Sequence, residues 1–172
     1  MREVELKLLA ELLKNSRRSD RDLARSIGTS QPTATRTRIK LEKEGYVKEY
    51  TVIPDFRKMG YELLALTFVR LKVTLTPEEL EKIRKFTSER LQKTQHDVIM
   101  VERGAGLGYD GVIVSLHKNY TSYNEFRYRL RQYPFFEPTI ENFLISLNDK
   151  IRHLPLTLKI LAKHLPTRKQ KE

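Results

Sequence analysis

Apolar positions recur along this chain with two different periods, and the change of period divides it. Across residues 3–14 they fall at helical spacing: Leu6, Leu9 and Leu13 share a stripe beside Leu8 and Leu12. Ser16-Arg17-Arg18-Ser19 interrupts it, and Ser19 followed by Asp22 forms a capping-box-like start for a second helix. Leu23, Ala24 and Ile27 give that helix a short apolar face, and Gly28 is placed to end it in a left-handed conformation. Ser30 can cap a third helix, Pro32 fits only its first turn, and the segment runs to Glu44 with Gly45 as its stop. The next residues interleave Tyr46, Lys48, Tyr50 and Val52 with Val47, Glu49 and Thr51, which suits a β-wing.

Beyond the connection Pro54–Gly60 the period becomes that of mixed strands and helices. The pattern predicts strand Leu63–Val73, helix Pro77–Leu91, strands Asp97–Arg103 and Tyr109–His117, helix Tyr120–Gln132 and strand Thr139–Leu147. This βαββαβ order predicts a ferredoxin-like sheet with both helices on one face, so the chain as a whole reads as α+β. In the first strand Leu64, Leu66 and Phe68 oppose Ala65, Val69, Leu71 and Val73; in the last, Ile140 and Leu144 oppose Phe143, Ile145 and Leu147. Helices cover one apolar face, and a partner sheet is the simplest cover for the other. The expected organisation is a helical domain over 1–53, a linker over 54–62, an α+β domain over 63–149 that a second copy could cover, and a tail over 150–172. In the tail Leu154, Leu158, Leu161 and Leu165 recur at helical spacing behind Pro155, which predicts a docked helix over 154–165. It could pack on its own subunit or on a partner, and the basic end after Pro166 could instead serve as an electrostatic arm.

Two short helices separated by Gly28-Thr29-Ser30, the second of them basic, have the layout of a helix-turn-helix. At about 100° per residue, Ala34, Arg38 and Leu41 fall on the inward stripe of the second helix. Thr33, Arg36, Lys40 and Lys43 fall outward, with Gln31, Pro32 and Thr35 near the exposed start. Gln31 can pair with adenine, Arg36 with guanine, and the threonine methyls can touch thymine. Ser30, Lys40 and Lys43 suit phosphates. Arg38 can lay its stem on the core and deliver its charge to a phosphate.

Charge changes the picture only once that motif is in place. The net +11 is uneven: residues 1–52 hold 12 Lys and Arg against 8 Asp and Glu, residues 53–149 hold 14 against 13, and residues 150–172 hold 7 against 1. A basic, soluble, globular chain follows, with both ends suited to a polyanion. No apolar run approaches the roughly 18–20 residues that span a bilayer, and the charged start Met1-Arg2-Glu3-Val4-Glu5 is unlike a secretory signal; no membrane partner and a cytoplasmic location are expected. There is no cysteine, His96, His117, His153 and His164 lack metal-ligand spacing, and no nucleophile elbow, phosphate loop or adjacent carboxylate pair appears. Neither an enzyme nor a bound cofactor or metal is expected. Gly106-Leu107-Gly108-Tyr109-Asp110-Gly111 spells GxGxxG, but a strand follows where a nucleotide site needs a helix, so a hairpin turn is the better reading.

From Val4 to about Leu147 the order resembles the leucine-responsive/asparagine (Lrp/AsnC) regulator family. The matching residues are Leu8-Leu9-x-x-Leu12, Arg18, Leu23-Ala24-x-x-Ile27-Gly28-x-Ser30, Arg36, Leu41-Glu42-x-x-Gly45-Tyr46-Val47 and Gly108-x-Asp110. Arg38 departs from it, at a position often aliphatic in the family, and the tail is longer than the family core requires. The resemblance implies dimers through the sheets, often higher assemblies, and amino acids bound at contacts between dimers. By that resemblance Gly106, Gly108, Tyr109 and Asp110 border an effector pocket. Asp110 could pair with an amino group and glycine amides with a carboxylate. The function expected is a sequence-specific transcription regulator binding double-stranded DNA as a homodimer or larger even-numbered oligomer, modulated by a small molecule such as an amino acid. The alternatives are a nucleoid-organising protein of low sequence preference and a sirohaem-decarboxylase-like enzyme, which resembles the same architecture.

Overall fold

The computed structural model describes residues 1–72, 75–93, 97–149 and 154–165. They form two compact units, the second beginning at Pro54.

The first unit is built from α1 (Glu3–Lys14), α2 (Asp20–Ile27) and α3 (Gln31–Lys43). Their leucine stripes meet in one core of Leu8, Leu12, Leu23, Ala24, Ala34 and Leu41, with Met1, Leu9, Ile27 and Val47 packed around it. Each buried leucine contributes roughly 1.5–3 kcal/mol, which is what holds three short helices that would not persist alone. The expected wing is absent as a strand: residues 46–55 run without regular structure. Alternation makes the segment fit to be a strand, but an isolated strand lacks the ladder that stabilises one, and Pro54 follows before a hairpin partner could form.

The tail residues 154–165 belong to this unit. The helix expected there is reduced to a 3-10 turn, Lys159–Lys163, packed against α1. Pro155 confines any helix start to itself, and the Thr157 hydroxyl accepts from the Lys159 amide at 3.2 Å, a local bond that competes with a helical one. Ala162 is the residue this turn buries; Leu154, Leu158 and Leu161 lie exposed.

The second unit is a four-stranded antiparallel sheet in the order β2-β3-β1-β4, from β1 (Leu63–Val69), β2 (Asp97–Gly106), β3 (Tyr109–His117) and β4 (Glu141–Ser146). Helices α4 (Pro77–Lys93) and α5 (Tyr120–Arg131) complete the βαββαβ order. The strand β1 is shorter than its apolar run predicts. Past Val69 the chain turns onto the segment before β4, where the Arg70 carbonyl accepts from Glu137 N and Lys72 N donates to the Phe135 carbonyl; Val73 lies outside the described residues. Tyr123, Phe126 and Leu130 of α5 are buried, and the last two join Val69, Ile113, Phe136 and Ile140 in one core. The register puts Leu64, Leu66 and Phe68 of β1 across from Leu116, Val114 and Val112 of β3 on the other face; Ile145 and Phe143 of β4 join it opposite Leu64 and Leu66. Phe143 is 60% exposed there, so that face ends in open apolar surface.

Candidate nucleic-acid interface

Local sequence fixes the helix pair. The Ser19 hydroxyl accepts from Asp22 N at 3.2 Å and opens α2; Gly28, at φ 70° and ψ 41°, closes it in the left-handed conformation that glycine adopts without strain. Two residues later Ser30 accepts from Thr33 N and opens α3, with Pro32 in its first turn. Glu44 ends it, before Gly45 at positive φ.

Two ion-pair networks then hold α3 in place. Arg38 forks onto Asp20, with Nε to Oδ1 at 2.8 Å and a terminal nitrogen to Oδ2 at 3.1 Å, and also donates to Glu42 at 3.1 Å. This pairing holds the Asp20 carboxyl below its ordinary range and raises the guanidinium further. Thr35 donates to Asp20 at 2.8 Å and Tyr50 donates to Glu42 at 2.8 Å. On the other flank Lys40 reaches Glu5 of α1 at 2.7 Å and Glu44 at 3.5 Å. Glu5 is 2% exposed and also accepts from the Arg2 amide and side chain. Its hydrogen bonds from Lys40 and Arg2 pull its carboxyl down to about 2.

The residues expected to meet DNA therefore separate into two groups. Arg38, Lys40 and Thr35 lie on α3 but are engaged inside the unit, so the charge Arg38 was expected to give a phosphate is matched by Asp20 and Glu42. Gln31, Pro32, Arg36 and Lys43 are exposed, as is Ser30, whose hydroxyl is engaged by Thr33. Arg36 bends towards the helix start, its Nε donating to the Pro32 carbonyl at 3.3 Å. Among the described residues neither Arg36 nor Lys43 has a carboxylate partner. Thr33 is half-buried. The sequence reading missed the two anchors, Glu5 and Asp20, and the exposed Ile39. The same 100° projection places Ile39 outward and was available to find it. A cleft of about 470 Å³ beside α3, lined by Leu12, Arg18, Asp20, Arg38 and Tyr50 among others, offers no spare cation. There Arg18 is bound by Glu11 and the Asp22 carbonyl, and Arg38 by Asp20.

The four expected effector residues do meet, on one turn. Gly106 pairs with Tyr109 across Leu107-Gly108, and these two residues have φ of 53° and 78°, the primed hairpin geometry. Arg70 donates to the Gly108 carbonyl at 2.5 Å, lies 5.2 Å from the Tyr109 ring centroid and reaches Glu137 at 3.4 Å. Asp110 accepts from the Leu71 amide at 2.8 Å. Its carboxylate is thus already bonded to backbone. Of the histidines, His117 is buried with its Nε2 2.8 Å from Ser115 Oγ, and His164 is exposed; His96 and His153 lie outside the described residues. Among the described residues no group of histidine and carboxylate side chains could hold a metal, and no helix is long and apolar enough to cross a membrane.

Residues 1–48 match the winged helix-turn-helix DNA-binding family. The chain is 32% identical over 106 residues to an uncharacterised HTH-type transcriptional regulator of Pyrococcus furiosus, covering 62% of this chain and 66% of that one. It is 34% identical over 82 residues to the HTH-type transcriptional regulator LrpA of Pyrococcus horikoshii, covering 46% of this chain and 57% of that one. It spans 66%, 50% and 51% of the lengths of the first three curated relatives it matches. Over 90% of the chain it superposes on 98% of a crystallised uncharacterised HTH-type regulator of P. horikoshii, with TM-score 0.70 and 28% identity. A regulator of Neisseria meningitidis solved with L-methionine has the same fold at 17% identity and TM-score 0.73, over 94% of this chain and 99% of that one.

Proposed function

We propose that this chain, a homologue of the Lrp/AsnC-type helix-turn-helix regulators, is a sequence-specific DNA-binding transcription regulator that acts as a homodimer and responds to a small molecule such as an amino acid. The observation that carries the reading is the division of labour on α3. Arg38 and Lys40 lock the helix to α2 and α1, while Arg36 and Lys43 on its outer side keep their charge for a partner. A major groove accepts one such helix, phosphates attract its unpaired cations, and base edges meet its outward side chains. Arg36 then reads guanine, Gln31 adenine, the methyls of Thr33 and Thr35 touch thymine, and Ser30 and Lys43 meet phosphates. Lys40 and Arg38 act by positioning.

The dimer reading rests on the open sheet face around Leu66, Phe143 and Ile145, which water would otherwise cover. The effector reading rests on the glycine turn at Gly106–Gly108 and on the resemblance. Its test is calorimetric titration with each amino acid. Asp110→Asn is the informative variant, since alanine would also orphan the Leu71 amide. For DNA, selection from random duplexes followed by anisotropy titration tests the whole reading. A selected site should bind at least about a thousandfold more tightly than random duplex. A ratio near one would indicate sequence-independent coating instead.

A further inference from the structure

Ile39 breaks the rule that sorts the rest of α3. Ala34 and Leu41, the apolar residues flanking it on this helix, are 0% exposed, while Ile39 is 40% exposed. A one-residue shift cannot explain it, because Ala34, Thr37 and Leu41 are all buried and so fix which side of the helix faces inward. At about 100° per residue Ile39 falls about 140° from Ala34 and about 60° from Arg36. Pro32, Arg36, Ile39 and Lys43 then make one outward stripe with spacings of i, i+4, i+7 and i+11. The Arg36 side chain runs towards Pro32, away from Ile39. What remains is a stiff, β-branched apolar knob between two cations that have no carboxylate partner among the described residues.

The flanking charge selects a polyanion as the occupant of this stripe. In the major groove of a duplex the apolar group on offer is the C5-methyl of thymine. Resting on the reading of α3 as the DNA-reading helix, we infer that Ile39 packs on a thymine methyl and specifies thymine at one position of each half-site. That position lies between the base met by Arg36 and the phosphate met by Lys43.

Replacing single thymines of a selected duplex by deoxyuridine removes the methyl and keeps the pairing. The full chain should lose about fourfold in affinity at one thymine per half-site, the worth of one buried methyl-sized group. Ile39→Ala should bind the thymine duplex about as weakly as the wild type binds the deoxyuridine one, and should no longer distinguish the two. An exposed position makes this variant safe for the fold, and an unchanged melting temperature would confirm it. Wild-type indifference to every thymine methyl, or full discrimination kept by Ile39→Ala, would overturn the inference while leaving DNA binding intact. A changed oligomer size with unchanged discrimination would overturn it too, by assigning Ile39 to a contact between copies. If no duplex is bound or selected at all, it is the reading of α3 that fails, and this inference falls with it.

Discussion

Arg38 lies with its guanidinium forked across the Asp20 carboxylate, so the last helix of the helix-turn-helix is tied to the first residue of the helix before it. Both side chains are partly buried, and two charge-assisted bonds of good length outweigh what a surface pair contributes. Arg38→Ala should therefore destabilise the protein by about 1.5–3 kcal/mol. The salt dependence of DNA binding should stay as it is, because no phosphate contact is lost. Thermal melts and a salt titration of affinity check the two halves; a reduced salt slope would return Arg38 to the phosphates.

Arg36 and Lys43 should behave in the opposite way. Both are exposed, and among the described residues neither is paired with a carboxylate, so their loss should leave stability within about 0.5 kcal/mol. Arg36→Ala should weaken selected-site binding by roughly 1–3 kcal/mol and relax preference at one base position. Lys43→Ala should weaken all duplexes alike and lower the salt slope by about one per contact. Unchanged selected-site affinity in Arg36→Ala would remove α3 from the groove.

These contrasts show what the residue pattern could and could not convey. Caps and stops depend on neighbours in sequence, so Ser19, Gly28, Ser30 and Gly45 announce the helices α2 and α3 directly. Element order follows from the change of period along the chain, and the six elements of the second unit appear in the expected order, with β1 ending at Val69 and β4 beginning at Glu141. Partners far apart in sequence carry no such local signal. Nothing near Arg38 announces Asp20, 18 residues earlier, and nothing near Lys40 announces Glu5, 35 residues earlier. The projection of α3 matches the buried Ala34 and Leu41 and the exposed Arg36 and Lys43, but it turns Lys40 outward, where the structure pairs it with the buried Glu5. The wing segment carries no strand and the tail no α-helix for a related reason: both patterns permit an element, yet the first has no second strand to pair with among the described residues of its unit and the other starts with Pro155 and a competing Thr157 bond.

Glu5 gives the first unit an acid-sensitive joint. Its carboxyl ordinarily titrates near 4.5 and is held at about 2 in the fold by Lys40 and Arg2. A depressed carboxyl stabilises the folded state fully above its unfolded value, and that contribution is lost as pH falls from about 4.5 towards 2. Glu5→Gln should cost about 1–3 kcal/mol at neutral pH. The difference in melting between variant and wild type should shrink through that acid window. A difference independent of pH would mean the joint acts by packing alone.

The open sheet face predicts a dimer whose disruption is specific to that face. Phe143, exposed on β4 beside the half-buried Leu66, should tolerate lysine within the protomer but not against a second apolar sheet. Light scattering at micromolar concentration should show a dimer for the wild type and a smaller particle for Phe143→Lys, with unchanged far-ultraviolet dichroism. Two-fold symmetry then sets palindromic half-sites about one helical turn apart, or a multiple of it. A monomeric wild type would dispose of both expectations.

The tail separates two kinds of apolar residue by depth. Ala162 is 3% exposed in the turn against α1, while Leu154 is 76% exposed. Placing a carboxylate at Ala162 would bury a charge that has no partner provided for it, and such a substitution ranks among the strongly destabilising kinds. Ala162→Asp should cost more than about 1 kcal/mol, whereas Leu154→Ser should stay within about 0.5 kcal/mol in the isolated protomer. The comparison works because it does not depend on any helix over 154–165: it asks only whether the short 3-10 turn is docked. Equal, small effects of both substitutions on melting would mean that the turn contributes nothing to the three-helix unit. A large effect of Leu154→Ser accompanied by a smaller particle in light scattering would instead place this end of the tail against a second copy.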